Sequence, residues 1–173
     1  MFIKIPAKHS VIFQLFNTDK AYVIANTYEM WPLFINWYQN NRNVMNPIDT
    51  FIQLQLKQYD NIYYSHKKYS GHFLPFQRIC DLTFEPYSDL SLHPKYGPWI
   101  SLRALVLGVS VDPLPLVSLS QQQVSTIQSI PNPSNWLNHV KIRKLISQFC
   151  HAEEYEFSEA QIQYHYNRIL HIK

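Results

Sequence analysis

Glycine is scarce: Gly71, Gly97 and Gly108 are the only three in 173 residues, against about 7% of residues in an average protein. That scarcity excludes folds whose chemistry sits on glycine-rich turns, and neither a Gly-x-Gly-x-x-Gly fingerprint nor a phosphate-cradling loop occurs. No cofactor is therefore expected. Cysteine is nearly missing as well. Cys80 and Cys150 lie far apart and form no Cys-x-x-Cys pair, which excludes a disulfide framework and fits a reducing cytoplasm. The longest apolar run, Ala104 to Val109, falls far short of the ~20 residues that span a bilayer. Lys4, Pro6, Lys8 and His9 interrupt the start of the chain, so a signal-peptide layout is not seen and no membrane partner is expected. Charge is thin at 16% while aromatics reach 15%, against ~25% charged residues in an average soluble protein. A chain so rich in apolar mass is expected to bury a core rather than stay disordered.

The charge that is present leans positive. Net charge is +3, and residues 1–80 hold eight Lys or Arg against four Asp or Glu. An excess of that sign favours an anionic partner, nucleic acid among them, although it falls short of the basicity of a dedicated nucleic-acid domain.

Along the chain, Phe2 to Ile5, Ser10 to Phe16 and Lys20 to Ala25 are rich in Ile, Val, Phe and Tyr. Asn17-Thr18-Asp19 between the last two reads as a hairpin turn, which predicts a small N-terminal antiparallel sheet. A helix is predicted from about Trp31 to Asn41, with Pro32 in its first turn. A second is predicted from Asp49 to just short of Gly71, where Ile52, Leu56, Tyr59 and Tyr63 recur at spacings of four, three and four. From Phe73 to Leu116 the prolines crowd: Pro75, Pro86, Pro94, Pro98, Pro113 and Pro115. Only short pieces are expected there, a strand over Arg78 to Phe84 and a helix over Trp99 to Leu107 opened by Pro98. The last third predicts three helices. Ser120 caps the first, Ser134 the second, and Ser158 the third, where Gln161 completes a capping box and Phe157 and Ile162 form a hydrophobic staple.

The final helix reads Ser158-Glu159-Ala160-Gln161-Ile162-Gln163-Tyr164-His165-Tyr166-Asn167-Arg168-Ile169-Leu170. Over about Leu137 to His171 it resembles helix-turn-helix regulators, whose recognition helix often reads Ser-x-Ala-x-Val-x-x-His-x-x-Arg-Leu. The resemblance implies that Gln161, Gln163 and Tyr164 face bases in the major groove and that His165 and Arg168 hold the backbone. The chain departs from that pattern at the turn: Cys150 to Phe157 has no glycine and carries Glu153, Glu154 and Glu156. A capped amphipathic helix packed on its predecessor accounts for the same residues.

Lys57 to His72 interleaves cations with rings. Tyr64, Lys67, Lys68 and Tyr69 are its candidate contacts, since lysines hold phosphate and tyrosines stack on exposed bases. Tyrosines of this kind equally anchor protein interfaces. Among the eight histidines, no pair shows the one-face spacing that a zinc site on a helix requires, so no metal is expected. Asp81, Glu85 and Asp89 would align on a helix, but Pro86 breaks it.

Taken together, these residues predict one compact α+β domain over 1–173 with a possible helical subdomain over 118–173. An N-terminal hairpin or small sheet, a Pro-rich middle and a helical C-terminal part make it up. The function expected is that of a non-enzymatic, cytoplasmic nucleic-acid-binding accessory or regulatory protein, acting with a protein partner in a larger assembly. The alternatives are a protein-binding adaptor or inhibitor with a Tyr-rich interface, and a small His-dependent nuclease using His66 or His72 beside Lys67 or Lys68.

Overall fold

In a computed structural model, described here over residues 1–167, the fold is α+β. The elements run β1 (Phe2–Pro6), α1 (His9–Phe16), β2 (Ala21–Asn26), α2 (Met30–Gln39), α3 (Pro47–Gln55), β3 (Ile62–Tyr64), β4 (Lys68–Tyr69), β5 (His72–Phe73) and α4 (Phe76–Ile79). They continue as β6 (Thr83–Glu85), β7 (Leu90–Leu92), β8 (Ser101–Leu107), α5 (Gln121–Gln128), α6 (Trp136–Phe149), a 3-10 turn (Glu153–Tyr155) and α7 (Glu159–Asn167). The chain divides into two compact units, the first formed by Met1–Asp81 with Ser101–Pro113, the second by Leu82–Ile100 with the chain from Leu114 onward.

The first unit is built on a sheet of order β1-β2-β8-β3, antiparallel throughout. All six residues of β2, Ala-Tyr-Val-Ile-Ala-Asn, are buried, as a strand covered on both faces must be, and such strands read as continuous rather than alternating apolar runs. Helices supply the cover: Ile12 from α1, Met30, Trp31 and Phe34 from α2, Ile48, Phe51 and Ile52 from α3, and Phe76 and Ile79 from α4 are all buried. Phe34 and Phe51 meet edge to face at 5.7 Å, an arrangement aromatic quadrupoles favour.

Three local expectations are corrected in this unit. Ser10 to Phe16 is helix, not strand, because β1 pairs directly with β2 (Ile3 opposite Ala25, Ile5 opposite Val23), which leaves the segment between them outside the sheet. Asn17 ends that helix at φ 51, its N–H donating to the Phe13 carbonyl, a left-handed cap that asparagine tolerates. The predicted long helix from Asp49 stops at Gln55. Asn61 turns the chain at φ 52, and Ile62, Tyr63 and Tyr64 pair with Val106, Leu105 and Ala104. Ser101 to Leu107 is strand rather than helix, since pairing with β2 on one side and β3 on the other satisfies its backbone groups in a core that a helix could not enter.

The second unit packs the β6-β7 hairpin with the C-terminal helices. Leu90 and Leu92 form a core with Ile127 of α5 and Ile142 and Ile146 of α6. The expected strand over Arg78 to Phe84 divides into α4 and β6. In the helices the caps follow the sequence closely. Ser120 and Gln123 make a reciprocal capping box at the start of α5. Asn135, one residue beyond the expected Ser134, caps α6 by accepting from the Leu137 and Asn138 amides. Ser158 Oγ accepts from the Gln161 amide at 3.3 Å, and Phe157 and Ile162 are both buried. Among the described residues, no helix is long and apolar enough to cross a membrane.

Candidate functional site

The basic aromatic stretch of the first unit folds into a pocket wall. After β3, residues Lys68–Tyr69 and His72–Phe73 pair as a two-residue hairpin (Lys68 opposite Phe73, Tyr69 opposite His72). Its turn residues, Ser70 and Gly71, stand at φ 52 and 84, the pair of positive angles a type I′ turn demands and the reason glycine is placed here. This hairpin faces α1 across a cavity of about 310 Å³ lined by Leu15, Phe16, Tyr69, Ser70, His72, Phe73, Leu74 and Pro75. Tyr63 braces the wall from behind, its ring 4.9 Å from Phe16 and 5.0 Å from Tyr69. Tyr69 is fixed in turn because its hydroxyl accepts the Tyr64 backbone N–H. Phe73 is 56% exposed and Leu15 45%, so the mouth of the cavity is apolar and open. The Lys68 ammonium lies 5.4 Å from the Phe73 ring, a cation–π contact at the rim. Such a cleft suits an apolar or aromatic part of a ligand, with His72 and Lys68 as its polar edge.

The same segment places His66 in a closed arrangement. Its Nε2 is 2.8 Å from Gln53 Nε2, so the Gln53 amide donates and the imidazole proton resides on Nδ1, facing Asp49 Oδ1 at 3.6 Å. Burial lowers the His66 pKa more than Asp49 raises it. The ring is a neutral, satisfied link between α3 and the segment after β3.

Of the candidates in this stretch, Tyr64 is buried in β3 with its pKa raised by burial, and Tyr69 lines the cavity. Lys67 and Lys68 are exposed, with Lys67 resting 5.2 Å from the Tyr64 ring. Those of the final helix do not form one outward face. Gln161 and Tyr164 are 0% and 4% exposed, so neither offers its side chain to a base. Gln163 is spent within α7, donating to Glu159 and accepting from Asn167. His165 stacks on Phe157 at 5.3 Å. Arg168 lies outside the described residues. Sequence reading passed over Phe16 and Phe73, because cavity walls drawn from α1 and a hairpin sixty residues on carry no local pattern.

The second unit holds a polar and aromatic seam. His139 of α6 donates from Nε2 to the Ser88 carbonyl at 2.9 Å, which leaves Nδ1 to accept the Tyr166 hydroxyl proton. Burial, and then the nearby Arg143, lower the His139 pKa, so the imidazole is neutral. The Arg143 guanidinium lies 5.4 Å from the Trp99 ring and 5.7 Å from the Phe157 ring. Trp99 is itself held by its indole N–H donating to Ser147 Oγ at 2.7 Å. Of the two thiols, Cys80 is buried, and burial followed by Glu153 pushes the Cys150 thiol up, which disfavours its thiolate.

No family model matches this chain, and no curated protein matches it. Among solved structures it is similar to the crystal structure of CblC from C. elegans, a B12-trafficking protein homologous to human MMACHC, with TM-score 0.61 and 17% identity over 95% of this chain and 84% of that one. A fold shared along nearly the whole chain with a B12-trafficking protein overturns the reading of a nucleic-acid-binding accessory protein, with its helix-turn-helix keywords.

Proposed function

We propose that this protein binds a corrinoid of the vitamin B12 class and passes it on without transforming it. The observation that carries this reading is the fold shared with a B12-trafficking protein over 95% of the chain. The cavity of the first unit supports it in kind, though not as a container for the whole ligand. At about 310 Å³ it sits at the lower end of the 300–1,000 Å³ typical of small-molecule sites, and a corrinoid is far larger. One apolar part of the molecule rests between Phe16 and Phe73, with His72 and Lys68 beside it.

Equilibrium dialysis of the full chain against hydroxocobalamin tests the proposal. Saturable binding of one corrinoid per chain is expected, with a change in the visible spectrum of the bound ligand. Retention no greater than that of an unrelated protein at about 1 mM ligand, the weakest useful affinity, would remove the reading.

A further inference from the structure

We infer that the α6–α7 seam of the second unit is a binding site for a small organic monocarboxylate, with Arg143 as its charged receptor. Trp136, His139, Arg143 and Ser147 follow one another on α6 at spacings of three, four and four, which places them on one helical face. That face meets Trp99, Phe157 and Tyr166: Arg143 lies against the first two rings, and Tyr166 stacks with Trp136 at 6.2 Å.

Arg143 is half-buried, its Nε is shielded from solvent, and that Nε has no hydrogen-bond partner among the described residues. Burial lowers its pKa, and Tyr166 counters this only in part. Two carboxylates of the second unit are committed to other partners. Glu85 accepts from the Tyr87 and Ser88 amides and from the Ser88 hydroxyl, and Glu156 pairs with Lys144 at 2.8 Å. Aromatic rings soften the cost of holding the cation there, but they leave its Nε donor unused, and an unused buried donor is destabilising until an acceptor arrives.

A second group points the same way. Gln161 is completely buried, and both its amide oxygen and its amide nitrogen lack hydrogen-bond partners among the described residues. It stands four residues before His165 on α7, and His165 stacks on Phe157, the ring that Arg143 also covers. Buried polar atoms without partners are rare in folded proteins, and here a cation and an amide on adjoining helices both have unused hydrogen-bonding groups.

The chemistry of the seam selects the ligand. His139 is neutral and its two nitrogens are occupied by Ser88 and Tyr166, so Arg143 is the cation on this face of α6. One guanidinium fork matches one carboxylate in plane, whereas a phosphate dianion would need a second cation. The surrounding rings favour an acid with an apolar body.

An NMR titration of the arginine Nε–H signals in the full chain tests this, with acetate and benzoate as probes and chloride and inorganic phosphate at matched ionic strength as comparators. The Arg143 signal, assigned by its loss in Arg143→Lys, is expected to shift saturably with either carboxylate and not with chloride, benzoate binding more tightly than acetate. Arg143→Lys keeps the charge but removes the fork, and Gln161→Leu removes the amide; each is expected to weaken benzoate binding by about tenfold or more, measured calorimetrically. No saturable shift in the unsubstituted protein, an equal shift with chloride, or a preference for phosphate would each overturn the assignment. If a substituted chain does not fold, the titration of the unsubstituted protein still decides the matter.

Discussion

His93 shows how much one side chain can control in a short loop. Its Nδ1 accepts from the Lys95 and Tyr96 amides at 3.0 and 3.3 Å, while its backbone exchanges two hydrogen bonds with Gly97. Burial, aided by Lys95, lowers its pKa to about 4. Between that value and the ordinary 6.5 the unfolded chain binds a proton that the folded one refuses. Stability is therefore full above about pH 6.5 and falls as pH drops toward 4, by about 1–3 kcal/mol from this group. Urea melts at pH 7 and pH 5 should show the loss, and His93→Asn, which keeps an acceptor for the turn but does not titrate, should reduce the slope. An unchanged slope in that variant would assign the effect to His66 and His139, whose pKa values are also lowered by burial. At the cavity mouth, Phe73→Ser should weaken corrinoid retention several-fold while shifting the melting temperature little, because Phe73 is 56% exposed. Dialysis and a thermal melt on the same preparation separate the two effects. Residue by residue, the sequence marked the Lys57 to His72 stretch as special, and three of its residues, Tyr69, Ser70 and His72, do line the cavity. It could not show that Tyr64 points inward, since one change from helical to strand spacing reverses which tyrosine is buried.

At the scale of the element, caps are the most legible feature and the simplest to perturb. Ser120→Ala removes the hydroxyl that accepts the Gln123 amide while leaving the Ser120 backbone N–H to donate to the Gln123 side chain, and should cost about 1 kcal/mol in chemical denaturation. Ser158→Ala, at the start of α7, should cost about as much, and a difference within error at either site would show that the cap does not support its helix. Gly97 is constrained differently. It adopts φ +52, and a Cβ there would come 2.8 Å from the Ala152 Cβ, so Gly97→Ala meets backbone strain and a clash at once. A loss of about 1–3 kcal/mol is expected, read as a lower urea midpoint with an unchanged slope. Short polar caps identify themselves because they act on amides two or three residues away. Strands were harder: α1 and β8 are comparably apolar, and what made one a helix and the other a strand was the presence of pairing partners in β2 and β3.

For the whole molecule, both units are discontinuous in sequence, each built from two stretches of chain. The apolar faces of α5 and α6 are closed by Leu90 and Leu92 of β7, so a fragment spanning 114–173 lacks two of the five buried residues of its core. Far-ultraviolet circular dichroism of that fragment should show helix content well below that of the same segment in the intact chain, without a cooperative thermal transition. A sharp transition would establish the C-terminal helices as an autonomous domain. Composition, the capped helices of the last third and the α+β class follow from local chemistry, because caps, breakers and apolar spacing act over a few residues. Tertiary structure decided that Ser10 to Phe16 is helix and Ser101 to Leu107 is strand. It also decided that the tyrosine-rich stretch walls a cavity and that Gln161 and Tyr164 are buried. Those outcomes depend on partners distant in sequence, and hydrogen-bond pairing and burial between distant segments outweigh the few tenths of a kcal/mol by which local propensity separates the alternatives.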